Sequence, residues 1–385
     1  MVYLDTAASA QKPQAVIDAM TGVMTGYYAN IHRGLYDFSQ RTTTAFEAVR
    51  GTVQKFINAP SDQEIVFTRN TTEAINLVAQ CWGGRFLEEG DEIILTEMEH
   101  HANIVPWHML ARRLGVVIKV VPVRDDGTLD MEAYERLFTP QTKFVAAVHI
   151  SNAIGTVNNI KKIIEIAKDF YPEIKVLVDG SQAVVHGAVD VQALGCDFYV
   201  FTGHKLYGPS GVGVLWGRYN LLDAMPPYQG GGDMIESVSF DEITYKPPPA
   251  RFEAGTPAIV DVIGLGAAID YITGIGIENI VEHETVLRDY ALEKLAGIDG
   301  LTFYGTAPDK AGIISFTADW GHPSDIGMIL NECGVALRTG HHCCQPLMAR
   351  FGVDATVRAS LGLYSSHGDI DALVAGLAKA KDMLG

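Results

Sequence analysis

Residues 175–205 read KVLVDGSQAVVHGAVDVQALGCDFYVFTGHK. A short apolar run stands at each end of this stretch, Lys175–Asp179 and Asp197–Thr202. Both are rich in Val and Phe and too short for helices, so both read as strands. The first closes on Asp179, and the second is followed by Lys205, twenty-six residues beyond that aspartate. Runs of the same kind recur on either side, at Glu64–Thr68, Glu92–Thr96, Val117–Val123, Lys143–Ile150 and Gly211–Trp216. Helical patterns such as Thr72–Gln80 and Ile160–Asp169 lie between them. This alternation predicts an α/β fold with a mainly parallel central sheet and helices on both faces. Ligands in such sheets bind beyond the carboxyl ends of the strands, so the residues after each strand carry the functional reading.

The rhythm breaks at Gly230–Pro257, which opens on Gly230-Gly231-Gly232 and contains Pro247-Pro248-Pro249. The segment reads as a hairpin-like excursion rather than a linker between independent domains. A helical pattern follows at Asp261–Ile275. Past Gly300 the order becomes strand, strand, helix, strand, strand, helix: Leu301–Tyr304, Gly312–Thr317, Pro323–Cys333, Val335–Arg338, Thr356–Leu361 and Asp369–Leu384. Ile370, Leu373, Val374 and Leu377 in the last fall on one helix face. The expected division is a large domain over 15–260 and a smaller α+β domain made of 1–14 and 261–385.

At 385 residues the chain is long enough to bury a sizeable core without covalent staples. Its 29 basic and 46 acidic residues give a net charge of −17. Such a balance repels phosphate backbones and anionic membranes, so neither nucleic acid nor a membrane is expected as a partner. Five cysteines are an odd number, and too few for a disulfide framework in a chain of this size. The opening MVYLDTAAS has neither a basic leader nor an apolar core, so no secretion signal is read and a cytoplasmic protein is expected.

A carboxylate and a lysine at neighbouring strand ends suit pyridoxal phosphate. The lysine would hold the aldehyde, and Asp179 would keep the ring nitrogen protonated. Taken singly, each is more often a turn aspartate or a surface lysine. Thr71-Thr72-Glu73 opens a helix after the strand ending at Thr68, where free N–H groups and hydroxyls can hold a phosphate. The competing reading is a plain helix cap. No dinucleotide glycine fingerprint and no phosphate-binding loop occur, so the ligand would be smaller than a nucleotide. In Glu99-His100-His101-Ala102-Asn103, a strand-end histidine could stack on an aromatic cofactor and move protons. A polar loop, or a metal site shared with His108 or His341-His342-Cys343-Cys344, competes with that reading. Adjacent residues rarely ligate one ion together, and no metal site is assigned. In Arg338-Thr339-Gly340-His341-His342-Cys343-Cys344-Gln345-Pro346, nearby cations would favour a reactive thiolate. The alternative is a turn around an inert cysteine. Arg358, amid apolar neighbours, needs either a substrate carboxylate or an internal acid.

The blocks YLDTAASAQKP, NIHRG, TTEAINLVA, MEHHANIVPW, VDGSQAVVH, FYVFTGHKLYGPSGVGVLWG, RFEAGTP and RTGHHCCQPLM resemble those of group II, Suf-type cysteine desulfurases. These belong to the aminotransferase class V branch of the fold type I pyridoxal phosphate enzymes. The resemblance implies a homodimer that converts L-cysteine to L-alanine and passes sulfur to a Suf-type acceptor protein for iron–sulfur cluster assembly. It implies that Lys205 carries the cofactor, Cys343 forms the persulfide, and His100 stacks on the ring and shuttles protons. Asp179 would meet the ring nitrogen and Gln182 the phenolic oxygen. Thr71, Thr72, Thr202 and His204 would bind the phosphate, joined by Thr256 of the other subunit. Asn152, Arg338 and Arg358 would hold the substrate's carboxylate region, and His32 would line the pocket. Cys344 stands where a small residue is usual, Thr202 replaces a common Ser, and a helix common before the first block is expected to be missing. L-selenocysteine and cysteine sulfinate remain alternative substrates. A non-catalytic sulfur carrier or metal-binding protein remains the reading from a different class.

Overall fold

The computed structural model describes all 385 residues, Met1–Gly385. A seven-stranded sheet runs in the order Ile65–Thr68, Gly213–Gly217, Phe198–Thr202, Lys175–Asp179, Thr142–Val148, Glu92–Thr96, Val117–Val121. Only Gly213–Gly217 is antiparallel to its neighbours. Alternate residues of the inner strands feed two separate cores. Val145, Val176, Val178 and Tyr199 enter one, while Phe144, Leu177, Phe198 and Val200 enter the other. Both faces are therefore apolar, which is why these strands read as unbroken runs of Val, Ile and Phe. The edge strand stops at Val121 rather than Val123, because Pro122 has no N–H to continue a ladder.

The excursion does form a hairpin, Ile235–Val238 with Ile243–Tyr245. The helix after it runs over Ile259–Ile275 and packs on the helices Gln14–Gly26 and Asp37–Phe56. Its glycines permit the close approach: a Cβ on Gly264 would stand 2.8 Å from Met20, and one on Gly266 2.7 Å from Val49. Ile259, Val262, Leu265 and Ile269 are part of the larger core. The expected boundary at 260 falls within this helix, which packs against the larger core. The following helix, Ile277–Ala296, spans the junction. Ile280 is buried in the large core, whereas Leu287, Ala291 and Leu295 are buried in the small one.

The small domain holds a four-stranded antiparallel sheet, Leu301–Tyr304, Ile313–Ala318, Thr356–Ser360, Arg338–Gly340. The strand expected at Val335–Arg338 is two pieces. Val335–Ala336 pairs in parallel with the N-terminal Val2–Tyr3, and Arg338–Gly340 joins the four-stranded sheet. No single helix is long and apolar enough to cross a membrane.

Candidate active site

Five strand ends and the small sheet converge on a cavity of about 400 Å³. Thr71, Thr72, His100, Asn152, Asp179, Thr202, His204, Lys205, Arg338, Cys343 and Arg358 all line it. Gly213 sets one wall, because a Cβ there would lie 2.5 Å from the backbone of Asn70. Its absence lets the turn before Thr71 sit against the sheet. Asn70 then caps that helix by accepting from Glu73 N at 2.9 Å. The Thr71 hydroxyl meets Ser181 Oγ at 2.9 Å.

Asp179 is 4% exposed. Its Oδ1 accepts from Ser181 N at 2.9 Å and Ser181 Oγ at 2.6 Å, while Oδ2 takes no donor from the protein. Lys205 lies three residues past the end of the next strand, and its Nζ has no protein partner. Burial lowers its pKa from the ordinary lysine value despite the Asp179 charge, and Arg358 adds to the lowering. Lys12 steadies this turn by donating to the carbonyl of His204 at 2.9 Å. Burial, then the Lys205 charge, takes His204 down to about 4. His100 is likewise pulled down to about 4 by burial and Lys205, so it is neutral near pH 7. Its Nδ1 accepts from Ala102 N at 3.0 Å.

Cys343 is exposed, and the cysteines at 81, 196 and 344 are buried. His342 and Cys343 both have left-handed backbones, with φ of 52° and 56°. Cys343 N donates to His341 Nδ1 at 3.0 Å, and Cys343 O accepts from His101 N at 2.7 Å. His101 Nε2 accepts from Gln345 N at 3.1 Å, and its ring lies 5.5 Å from that of His341. Those nitrogen lone pairs serve backbone N–H groups of the cysteine turn. Arg358 is 2% exposed. It donates to Asn152 O at 2.7 Å and Asp5 Oδ1 at 3.1 Å, and its buried Nε is left without a partner. Arg358 also lines the cavity, where a guanidinium can receive an anion.

Three expected residues stand elsewhere. Gln182 is buried and donates its amide to Ala7 O at 2.8 Å. His32 Nε2 pairs with Glu47 at 2.9 Å, away from this cavity. Thr256 lines a different cavity, with Phe67, Gln229 and Gly255. Asn152 is present, but its side chain is engaged on both sides: Nδ2 donates to His342 O at 2.8 Å, and Oδ1 lies 3.2 Å from Cys344 Sγ.

Sequence reasoning missed Asp5, His101, Ser181 and Glu99. Glu99 is fully buried behind His100 and accepts from Thr96 Oγ1 at 2.6 Å, Asn103 Nδ2 at 2.7 Å and Val148 N at 2.8 Å. Burial still pushes its carboxyl up to about 8. Glu99→Gln is expected to destabilise the protein. Either placement of the new –NH₂ faces a donor, Val148 N–H or Asn103 Nδ2, and Asn103 cannot turn because its Oδ1 accepts from Trp107 at 3.0 Å. One unsatisfied buried donor costs about 1–3 kcal/mol. The native carboxyl holds its proton more tightly folded than unfolded, so wild-type stability falls as pH rises from about 4.5 to about 8. The gap between variant and wild type should therefore be widest at low pH. Thermal unfolding across pH 5–9 measures it, with a gap that widens at high pH speaking against the assignment.

A family model described as aminotransferase class-V matches residues 2–373. A cysteine desulfurase of Salmonella gallinarum is 50% identical over 386 residues, covering 100% of this chain and 94% of that protein. Among solved structures, the cysteine desulfurase CsdA from Escherichia coli is 41% identical with a TM-score of 0.94, covering 100% of this chain and 95% of that one. A cysteine desulfurase from Thermococcus onnurineus NA1 is 37% identical with a TM-score of 0.94, covering 100% and 94%. Matches that run nearly end to end in both sequence and structure leave a single placement: this chain belongs to the aminotransferase class-V family, alongside its cysteine desulfurases.

Proposed function

We propose that the protein is a pyridoxal-phosphate-dependent cysteine desulfurase that turns L-cysteine into L-alanine and leaves the sulfur as a persulfide on Cys343. One observation carries this reading: the chain's exposed, strained cysteine opens onto the same cavity as Lys205, Asp179 and Arg358. The donor set fits the cofactor. The free Oδ2 of Asp179 suits a protonated ring nitrogen, and the unpartnered Nζ of Lys205 suits the aldehyde. Thr71, Thr72, Thr202 and His204 suit the phosphate, and the flat ring of His100 suits the ring face. Gln182 would reach the phenolic oxygen by releasing Ala7. When bound, pyridoxal phosphate supplies an electron sink that stabilises negative charge at the substrate's Cα and weakens its C–S bond.

The protein's own groups do the rest. Arg358 takes the substrate carboxylate, with Asn152 and Arg338 beside it. Lys205, with its lowered pKa, removes the Cα proton as a free amine. His100, neutral near pH 7, accepts and returns protons on the ring side. Cys343 thiolate attacks the substrate sulfur, so an S–S bond forms as the C–S bond breaks. The carbon keeps the electron pair and takes up a proton, which yields alanine. Equimolar alanine and sulfide from L-cysteine with a reductant present is the test. L-selenocysteine and cysteine sulfinate run in parallel distinguish a lyase of another preference, and a protein that forms no alanine from any of them refutes the reading.

The acceptor is a Suf-type protein, the destination of the sulfur is iron–sulfur cluster assembly, and the compartment is the cytoplasm. The enzyme is a homodimer in which Thr256, and His32 with it, reaches the partner's pocket. This is supported by Leu35, Val238 and Phe240, large apolar side chains that stand mostly in solvent near those segments of the chain. Sedimentation should give a dimer, and Thr256→Ala should weaken cofactor retention. A monomer with full cofactor occupancy contradicts both expectations.

A further inference from the structure

Arg50 is 6% exposed, on the helix Asp37–Phe56 against the strand Ile65–Thr68. Each nitrogen of its guanidinium is bonded. Nε donates to Glu47 Oε2 at 3.0 Å. Nη1 donates to Ile65 O at 2.8 Å and to Glu253 Oε1 at 2.9 Å, and Nη2 to Glu253 Oε2 at 3.1 Å. Its Cζ lies 4.6 Å from the centroid of the Phe67 ring. The other oxygen of Glu47 pairs with His32 Nε2 at 2.9 Å, and Glu253 Oε1 also accepts from Phe67 N at 2.8 Å. One chain of ion pairs therefore runs from His32 through Glu47 and Arg50 to Glu253. A planar fork can serve two carboxylates and a carbonyl at once, which the point charge of a lysine cannot. Both ends of this chain lie in segments with little support of their own. Residues 253–257 belong to no helix or strand, and their backbone is tied by Glu253 N to Ala250 O at 3.1 Å and Gly255 N to Gly232 O at 3.0 Å. His32 also lies outside helix and strand, with φ of 73°, and its N donates to Thr43 Oγ1 at 2.9 Å. Neither His32 nor Thr256 lines the cavity of its own chain.

We propose that Arg50 is a positioning residue that acts across the dimer: its ion chain holds His32 and the Thr256 segment in the arrangement the partner subunit's pocket needs, so each subunit's Arg50 serves the cofactor held by the other. This rests on the reading above that Thr256 reaches the partner's pocket. A second route stays within the subunit. Arg50 also bonds Ile65 O, in the strand that leads to Thr71 and Thr72. That strand is already paired along its whole length with residues 213–216. It depends less on Arg50 than the irregular segment that Glu253 anchors, so the effect falls on the residues lent to the partner.

The experiment follows cofactor loss after the holoenzyme is diluted into buffer without pyridoxal phosphate. Samples are trapped with borohydride at intervals, and cofactor on the peptide carrying residue 205 is measured by mass spectrometry. Arg50→Met, which keeps an apolar stem against Phe67, should lose cofactor about tenfold faster than wild type. Mixed dimers of Arg50→Met with Lys205→Ala, made by co-expression under two affinity tags, then separate the routes. Only the Arg50→Met subunit carries Lys205, and the residues lent to its pocket come from the Lys205→Ala subunit, whose Arg50 is intact. The wild-type rate should return in this pairing. A merely structural defect inside the Arg50→Met subunit would not be repaired by its partner, so loss as fast as in the Arg50→Met homodimer overturns the proposal. A homodimer rate within about twofold of wild type overturns it as well. Arg50→Lys keeps the charge but not the fork, and should show the same loss and the same repair. It keeps the proposal falsifiable if Arg50→Met does not fold. Thr256→Ala in the same pairing separates the two readings. If its faster cofactor loss is not repaired by Lys205→Ala, the assignment of Thr256 to the partner's pocket falls. If Thr256→Ala is repaired and Arg50→Met is not, only the role given to Arg50 falls.

Discussion

Lys205→Ala is expected to abolish alanine and sulfide formation, a loss of at least about 10²–10⁴-fold from proton transfer alone. No second amine can take over. Lys12, the neighbouring lysine, spends its ammonium on the carbonyls of Ala10 and His204 and does not line the cavity. Lys310 is likewise tied to Ile154 O and Gly305 O. In wild type, the free-base form of Lys205 accumulates as pH rises through its lowered pKa. The rising limb attributable to this group should therefore fall below the ordinary lysine range. Borohydride treatment followed by peptide mass mapping gives a readout independent of turnover, with cofactor trapped on the peptide carrying residue 205 in wild type and nowhere in the variant. Cofactor reduced onto another lysine would move the catalytic amine elsewhere.

The central sheet was legible because its strands are buried on both faces, and a residue that must be apolar on either side leaves an unmistakable run. Two residues of the candidate site were legible for a related reason: Asp179 and Lys205 are charged residues abutting such runs, and a parallel sheet brings its strand ends together. Pairings between distant segments left no such mark. Nothing in Val2–Tyr3 announces a partner at Val335–Ala336, and Asp5 reads as one more acidic residue until the fold carries it between two arginines. Glu99 and His101 stand in a motif that was noticed for His100, yet their partners at Val148, Cys343 and Gln345 come from different elements. The helix Ile259–Ile275 is apolar on nearly every side, so its periodicity names no neighbour. Gln182 shows the converse. Its position in the motif is clear, but its amide is committed to Ala7.

Of the adjacent cysteines, Cys343 should carry the sulfur and Cys344 should not. Extended chain already turns consecutive side chains apart. Here the left-handed turn at His342 and Cys343 enforces the separation, at a backbone cost of about 1–3 kcal/mol per residue that the contacts to His101 and Asn152 help to meet. Cys343 opens onto the cavity. Cys344 is 0% exposed, within the large core, with its Sγ 3.2 Å from Asn152 Oδ1. Burial, reinforced by the Glu99 charge, pushes the Cys344 thiol up to about 12, so almost none of it is thiolate near pH 7. Cys343→Ser should bind L-cysteine, seen as a change in the cofactor's visible absorbance, yet gain no sulfur by mass spectrometry and release no sulfide. Cys344→Ala should gain one sulfur and turn over near the wild-type rate, because the loss of a small buried side chain affects packing rather than chemistry. The two variants also separate nucleophile from scaffold. If Cys344→Ala lost sulfur transfer while keeping substrate binding, then Asn152, which Cys344 orients, would be the element that matters. If sulfur were found on residue 344 in Cys343→Ser, the turn would have to invert its side chains and the nucleophile would lie one residue further on.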